Sequence, residues 1–145
     1  MSKVFIDTNV LVYSMDARYP AKRDHARRKL DALPDDAGVI STQVLEEAYV
    51  TFTRKLGMAP LEAKASVSLL TAFEVVTVDA DLVLKAIDCA ILDTLSLWDA
   101  LIVAAAASAN CEKVWTEDMN DGQVILGVRI VNPFAHLEEP SGEES

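Results

Sequence analysis

Two carboxylates lie in apolar surroundings, where an ionised side chain is costly unless it is paired, hydrogen-bonded or bound to a cation. Asp7 follows the apolar run of residues 4–6, and Asp99 is the only charged residue in LSLWDALIVAAAASA, residues 95–109. Ordinary structural roles are open to both. Asp7 can cap the helix that follows it, and Asp99 can lie in the first turn of a helix capped by Ser96. Taken singly, neither position decides between a structural and a chemical role.

Further acids occupy comparable places along the chain. Asp118 and Asp121 lie just beyond a predicted strand, and Glu46 and Glu47 lie in the first turns of a predicted helix. Turns favour aspartate and helix N-termini favour glutamate for local reasons. All these positions nevertheless fall near strand ends or helix starts, and in a doubly wound sheet those ends open onto one crevice.

Carboxylates crowded into one crevice predict a divalent cation, because without one they would repel each other strongly. Oxygen ligands without histidine or cysteine favour Mg²⁺ or Mn²⁺ over zinc. Such a site can activate a water molecule and stabilise the leaving oxygen of a phosphodiester. The motifs of several other chemistries are missing, since the sequence has no P-loop, no G-x-S-x-G and no H-E-x-x-H.

The elements that would position these acids alternate between short strands and helices. Apolar and β-branched runs predict strands at residues 4–6, 38–40, 75–78, 113–116 and 129–131. Helical periodicity predicts helices at residues 10–15, 21–33, 42–56, 60–72, 80–92 and 97–109. This alternation predicts a single three-layer α/β/α domain with a short-stranded parallel sheet over residues 1–136. The acidic segment 137–145 predicts a disordered tail.

Apolar stripes on two helices predict which faces are buried. The inward residues are predicted to be Leu45, Ala48, Tyr49, Phe52 and Leu56 in the helix at 42–56, and Leu84, Ile87, Ala90 and Ile91 in the helix at 80–92. Glu46 lies at the edge of the first stripe and Glu47 lies on the opposite side. Periodicity therefore does not select either glutamate for the crevice.

Composition and charge limit the classes of partner. The 145 residues suit one domain, and the net charge of −10 is uneven. Residues 1–64 hold 10 Lys/Arg against 9 Asp/Glu, and residues 65–145 hold 3 against 14. This acidity predicts that nucleic acid binds only through a local basic patch or bound cations, and it suits a basic protein partner. Isolated Cys89 and Cys111, the lack of a signal peptide and the lack of an apolar run of about 20 residues predict a cytoplasmic protein without membrane association.

Four segments, in a fixed order, resemble the PIN-domain ribonucleases. They are VFIDTNVLVY, ISTQVLEEAYVTFTRK, LSLWDALIVAAA and TEDMNDGQVILGVRIVNPF, and the resemblance covers residues 3–134. The likeness is to the VapC-type toxins of bacterial toxin–antitoxin pairs. It implies an acidic quartet that binds Mg²⁺ or Mn²⁺ and cuts single-stranded or looped RNA. The implied positions are the catalytic and metal-binding Asp7, Glu47, Asp99 and Asp118 and the supporting Thr8, Asn9 and Thr116.

The resemblance also implies a homodimer and a small cognate antitoxin that blocks the site. It favours Glu47 over Glu46 through the spacing from the preceding strand. Asp121 could support a second metal or hold a water molecule, and it could equally be a turn residue.

The stretch ARYPAKRDHARRKL, residues 17–30, is the one dense basic segment of the sequence. Most charge runs are solvated helix faces. In a ribonuclease, Arg23, Arg27 and Arg28 would also form a natural surface for the RNA backbone. The sequence leaves both roles open.

Other classes of protein also place an acid after the first strand of an α/β fold. A haloacid-dehalogenase-type phosphatase needs a second aspartate where this chain has Asn9. A receiver-like, non-catalytic Mg²⁺-binding module normally has paired acids after its first strand and a late lysine near its site, but Asp7 stands alone and Lys113 begins its strand. An RNA-processing nuclease outside a toxin–antitoxin pair stays open as an alternative.

Overall fold

A central six-stranded sheet organises the described part of the chain, residues 2–137 of a computed structural model. Residues 138–145 of the predicted tail lie outside the described residues. The strands are β1 (Val4–Ile6), β2 (Gly38–Ser41), β3 (Glu74–Val76), β4 (Lys113–Trp115), β5 (Val124–Ile125) and β6 (Val128–Val131). Their spatial order is β3-β2-β1-β4-β6-β5, and every neighbouring pair is parallel except β5 and β6. The predicted α/β fold with a central, mostly parallel sheet is confirmed.

The antiparallel edge strand β5 is an addition to the predicted sheet. It joins β6 through a two-residue turn at Leu126 and Gly127, which both have positive φ, 51° and 77°. Positive φ at both central residues is the feature of hairpin turns whose twist matches that of the strands. A strand of two residues is too short to show an alternating pattern, so the sequence does not reveal it.

Within residues 2–137, six helices flank the sheet, all within a few residues of their predicted bounds. They are α1 (Thr8–Tyr13), α2 (Pro20–Asp31), α3 (Thr42–Arg54), α4 (Pro60–Leu70), α5 (Ala80–Asp93) and α6 (Leu97–Ser108). The apolar α6 packs against β2, β4 and β6 and carries α5 on its other side, while α1 contacts α2 and α3. Helix α1 begins earlier than predicted, because the Asp7 side chain accepts a hydrogen bond from the backbone of Thr8 and caps it.

Helix α5 buries a different face from the one predicted. Its buried residues are Leu82, Ala86 and Cys89. The predicted inward residues Leu84, Ile87 and Ile91 are exposed, so that part of the prediction is wrong. Small side chains at two of the buried positions allow a close approach to the alanine-rich α6, and this packing decides the orientation of the helix.

Helix α3 follows its predicted stripe in most positions. Ala48 and Phe52 are fully buried, and Leu45 and Leu56 are partly buried. Tyr49, at the edge of the stripe, is exposed.

Both cysteines are buried free thiols, as predicted. Over residues 2–137, no single helix is long and apolar enough to cross a membrane. Helices α5 and α6 have the required length and apolarity only when taken together, and they are bent by 115° relative to each other.

Candidate active site

The candidate site lies where the strand order reverses. Strands β2 and β3 lie on one side of β1, and β4 and β6 lie on the other. The carboxyl ends of β1 and β4 therefore flank a topological switch point, the usual position of ligands in open α/β sheets. The register pairs Ile6 with Trp115, and the Asp7 backbone N–H donates to the Trp115 carbonyl at 3.0 Å. Asp7 and Thr116, the next residues along, thus lie side by side.

Asp7 is the buried centre of the site. Its Oδ1 accepts from the Thr8 backbone N–H at 2.7 Å, and its Oδ2 accepts from the Thr116 hydroxyl at 2.8 Å. The pKa of Asp7 is raised to about 6, chiefly by burial and in smaller part by the charges of Glu47 and Asp118, against the lowering effect of the two hydrogen bonds. Asp7 is therefore both a helix cap and a member of the acidic cluster, so the two roles considered from the sequence do not exclude each other.

Asn9 connects Asp7 to Asp118. Its amide Nδ2 lies 3.4 Å from Asp7 Oδ2, 3.3 Å from Thr116 Oγ1 and 3.0 Å from Asp118 Oδ2. Its Oδ1 accepts from the Glu117 backbone N–H at 3.3 Å. An aspartate at position 9 could not donate to two carboxylates, so the residue that counts against a phosphatase has a clear function in this site.

Glu47 enters the same site from α3. Its Oε1 accepts from the Thr8 hydroxyl at 2.8 Å, and its Oε2 accepts from Gln43 Nε2 at 3.3 Å. Gln43 is 8% exposed and also approaches the Trp98 carbonyl at 3.4 Å, which ties α3 to the start of α6. Glu46, by contrast, is exposed on the outer part of the same cleft. The sequence analysis missed Gln43, although its i, i+4 spacing from Glu47 is a usable signal.

Asp99 approaches from the N-terminus of α6, where its backbone N–H donates to the Ser96 hydroxyl at 3.1 Å. Burial raises the pKa of Asp99, and the charges of Asp118 and Glu47 raise it further. Asp99 therefore lies within electrostatic reach of the other acids. Of the predicted quartet, Asp7, Glu47 and Asp118 line one cleft, whereas Asp99 does not line it and is linked to Glu47 and Asp118 through their charges.

The donor set of the site suits a divalent cation. It consists of carboxylate and hydroxyl oxygens, the ligands that Mg²⁺ and Mn²⁺ prefer. Over residues 2–137, no three acidic, histidine or cysteine side chains already converge into a cluster that could hold an ion. Thr8 and Asn9 instead donate to the carboxylates and stabilise them. The residues fit a divalent ion by chemistry and charge, although their side chains are not closed around one.

A cleft of about 580 Å³ opens beside the quartet. The acids that line it are Asp7, Asp16, Glu46, Glu47, Glu117 and Asp118. Arg18 and Lys55 are its basic lining residues, and Tyr13 and Tyr19 are its aromatic ones. The lining of the cleft is therefore strongly acidic but includes two cationic side chains.

A second polar network, missed in the sequence, holds the segment just before Asp118. Glu117 Oε1 accepts from the Tyr13 hydroxyl at 2.9 Å, and its Oε2 accepts from Lys22 Nζ at 2.6 Å. The Lys22 ammonium also lies 4.6 Å from the centre of the Tyr13 ring. These contacts link α1 and α2 to the loop that carries Asp118. No local pattern could reveal them, because Glu117 lies 104 residues from Tyr13 and 95 from Lys22 in the sequence.

Asp121 lies in the turn before β5. Its Oδ1 accepts from the Asn132 backbone N–H at 2.9 Å, which is a turn-stabilising contact. It does not line the cleft.

The predicted basic patch lies on α2. Arg23 Nε contacts Asp24 Oδ1 at 3.2 Å, and Arg27 Nε donates to the Ser14 carbonyl at 2.7 Å. Arg28 lies in the last turn of the helix. None of the three arginines lines the cleft beside the quartet.

Comparison with known proteins shows a family match over most of the sequence. The family described as PIN domain matches residues 4–120. No curated protein matches the chain. A toxin–antitoxin complex from Klebsiella pneumoniae is similar in structure, with a TM-score of 0.70 and 25% identity over 91% of this chain and 98% of that one.

Two further solved structures have the same fold. VapC20 from Mycobacterium tuberculosis, a sarcin-ricin loop cleaving toxin, gives a TM-score of 0.67 at 23% identity and covers 88% of this chain and 99% of that one. DNA-bound VapBC from Salmonella typhimurium gives a TM-score of 0.62 at 24% identity, and the match covers 90% of this chain and 97% of that one.

Proposed function

Because the chain belongs to the PIN domain family, we propose that it is a metal-dependent endoribonuclease acting on single-stranded or looped RNA. One observation carries the proposal. Asp7, Glu47 and Asp118 come from three separate segments and line one cleft at the switch point of the sheet, and the charges of Glu47 and Asp118 raise the pKa of both Asp7 and Asp99. A structural role for each acid alone gives no reason for this proximity.

The four carboxylates would hold Mg²⁺ or Mn²⁺, and Asp121 remains a candidate for a second ion. Such an ion supplies activation of a water molecule and stabilisation of the leaving oxygen of the phosphodiester. The protein supplies the geometry. Thr8, Asn9 and Thr116 fix the carboxylate oxygens through their hydroxyl and amide donors. These donors hold the carboxylates at the site, and the side chains would have to close around a cation in order to bind it.

The biological role that we propose is that of a cytoplasmic toxin neutralised by a small cognate antitoxin. The structurally similar proteins include a toxin–antitoxin complex and a toxin that cleaves RNA of the sarcin-ricin loop. The acidic cleft suits a basic segment of an antitoxin, because six carboxylates and only two cations line it. The toxin is also proposed to be a homodimer.

The test uses Asp118→Asn and Asp99→Asn, which keep side-chain volume while removing a charge and a ligand. Each should lower Mg²⁺-dependent cleavage of total cellular RNA by roughly 100-fold or more, because each removes a ligand of the cation. Asp79→Asn is the matched control: Asp79 caps α5 through the Leu82 N–H at 2.9 Å and does not line the cleft. The control should cleave like the parent, and EDTA should abolish cleavage in both.

The same variants test the toxin role in cells. Expression of the parent alone should arrest growth, co-expression of an adjacent small reading frame should relieve it, and Asp118→Asn should be harmless. Absence of RNA cleavage by the parent would contradict the nuclease proposal, and cleavage by Asp118→Asn and Asp99→Asn at the parent rate would contradict the proposed metal site. Cleavage in vitro with normal growth would instead favour an RNA-processing nuclease outside a toxin–antitoxin pair.

A further inference from the structure

The acidic lining of the cleft repels RNA, and a cation bound at the quartet would offset only part of this repulsion. Six acidic side chains line it, and a polyanion entering it meets their combined repulsion. A cation at the quartet would offset this only locally, since interactions between exposed charges are screened beyond about 8 Å at physiological salt. The neighbouring phosphates therefore need positive groups of the protein's own. Among the residues that line the cleft, Arg18 and Lys55 are the two basic ones.

Arg18 is held in place by a buried acid. Its Nε and Nη2 donate to the two carboxylate oxygens of Asp16 at 2.9 and 2.8 Å, and its backbone N–H donates to Oδ1 at 3.1 Å. Asp16 is 3% exposed, and Arg18 holds its pKa below the ordinary value. The Arg18 side chain itself is 56% exposed. Two of its five N–H donors are used, so three remain for a phosphate in an orientation that is already fixed.

The ring of Tyr19 supports the same guanidinium. The Arg18 Cζ atom lies 5.5 Å from the Tyr19 ring centroid, and Tyr19 packs edge-on against Tyr13 at 5.6 Å. Tyr13 in turn binds Glu117, the residue before Asp118. A continuous set of contacts thus connects the position of Arg18 to the position of a quartet member.

Lys55 lines the cleft from a different element, the C-terminus of α3, where it is the C-cap residue. It is exposed and forms no salt bridge with an acid among residues 2–137. Glu47 lies eight residues earlier on the same helix, which places their backbones about 12 Å apart along its axis. Helix α3 therefore carries a quartet carboxylate and an unpaired ammonium within one cleft.

We propose that Arg18 and Lys55 bind backbone phosphates of the RNA on the two sides of the quartet and so position the scissile bond over it. This inference rests on the proposed nuclease function. It differs from the predicted role of Arg23, Arg27 and Arg28, which lie outside the cleft. Arg18 and Lys55 are positioning residues, since their task is to hold the substrate.

The experiment measures binding of a short single-stranded RNA oligomer of mixed sequence by fluorescence anisotropy over a series of KCl concentrations. All proteins carry Asp118→Asn, so that the RNA stays intact in Mg²⁺. Lys55→Gln should weaken binding by about three- to tenfold and reduce the slope of log affinity against log salt by about 0.7, the value for one phosphate contact with a single strand. Arg54→Gln makes the same charge change one residue away, outside the cleft lining, and should do neither.

Arg18 needs a paired substitution. Arg18→Gln alone would leave the buried Asp16 carboxylate unpaired and destabilise the fold. The double variant Asp16→Asn/Arg18→Gln removes both charges, and it should also lose three- to tenfold in affinity and about 0.7 in slope. Melting temperatures within a few degrees of the parent would show that both variants are folded.

The two proposals fail in different ways. An unchanged salt slope in both the Lys55→Gln and the double variant overturns the phosphate anchors, whatever the quartet does. Absence of Mg²⁺-dependent RNA cleavage by the parent, measured separately, overturns the nuclease function, and full cleavage by Asp118→Asn overturns the role of Asp118 as a metal ligand. Equal losses of RNA affinity in Arg54→Gln and Lys55→Gln would also overturn phosphate binding by Lys55, because the effect would then come from the overall charge of the protein.

Discussion

At the scale of single residues, the ionised Asp7 carboxylate lowers the stability of the folded protein, although the proposed metal site needs its charge. Its pKa of about 6 lies above the ordinary value of 3.8, so the folded protein binds this proton more tightly than the unfolded chain does. The ionised carboxylate therefore costs the folded state at most about 3 kcal/mol. This cost is absent below pH 3.8, grows as the pH rises, and is complete above about pH 6. A bound cation would offset it.

We therefore expect Asp7→Asn to be more stable than the parent in EDTA at pH 7.5, by up to about 3 kcal/mol, and to lose this advantage near pH 4. Asparagine keeps the helix cap, so the loss of charge is the main change. Urea denaturation at the two pH values measures the difference, and Asp79→Asn serves as the control with a similar cap. A parent at least as stable as Asp7→Asn at pH 7.5 in EDTA would show that the buried charge carries no such cost.

The residues that could be predicted from the sequence are those fixed by their own element. Asp7 and Asp118 follow strands, and Asp99 begins a helix, so local pattern and family resemblance placed them near one crevice. Gln43 has a local signal in its i, i+4 spacing from Glu47, but neither its contact with α6 nor the role of Arg18 could be found in this way. Gln43 acts through the Trp98 carbonyl, 55 residues away, and Arg18 matters because of the cleft that it lines. Such contacts exist only after folding.

At the scale of elements, the first turn of α6 carries Asp99 and is capped by Ser96. Removing the Ser96 hydroxyl in Ser96→Ala should cost about 1 kcal/mol, since an N-cap hydrogen bond is lost. Asp79→Ala removes a comparable cap from α5, away from the cleft, and should cost a similar amount. We expect only Ser96→Ala to lower RNA cleavage as well, by several-fold, because the first turn that carries Asp99 loosens. Equal activities in the two variants would show that this cap serves stability alone.

The elements differ in how far the sequence determines them. Helix bounds followed from prolines and capping residues, which act locally. The orientation of α5 did not, because Leu82, Leu84, Ile87 and Ile91 surround the helix with apolar side chains. Its buried face was decided by the fit of Ala86 against α6, a property of two elements together.

At the scale of the whole molecule, the face of α5 that was predicted to be buried is exposed to solvent. Leu84 is 63% exposed and Ile91 is 73% exposed, and with Ile87 they form one stripe at helical spacing. A contiguous apolar stripe on a surface helix is typical of an interaction site. We propose a second copy of the chain as its occupant, in line with the homodimer expected from the sequence. The proposed homodimer would bury this stripe against its equivalent through two-fold symmetry.

We expect the parent to be a dimer at micromolar concentration and Leu84→Lys/Ile91→Lys to be a monomer. Burying each of these side chains contributes about 1.5–3 kcal/mol, and a two-fold interface contains each side chain twice. Two added charges per subunit should therefore weaken association by at least 1,000-fold, about 4 kcal/mol. Val124→Lys, at an exposed apolar position on β5 outside the stripe, is the matched control and should stay dimeric. Light scattering after size-exclusion chromatography measures the mass, and circular dichroism checks the fold. A monomeric parent would contradict the homodimer itself. A double variant that stays dimeric would place the interface elsewhere on the molecule.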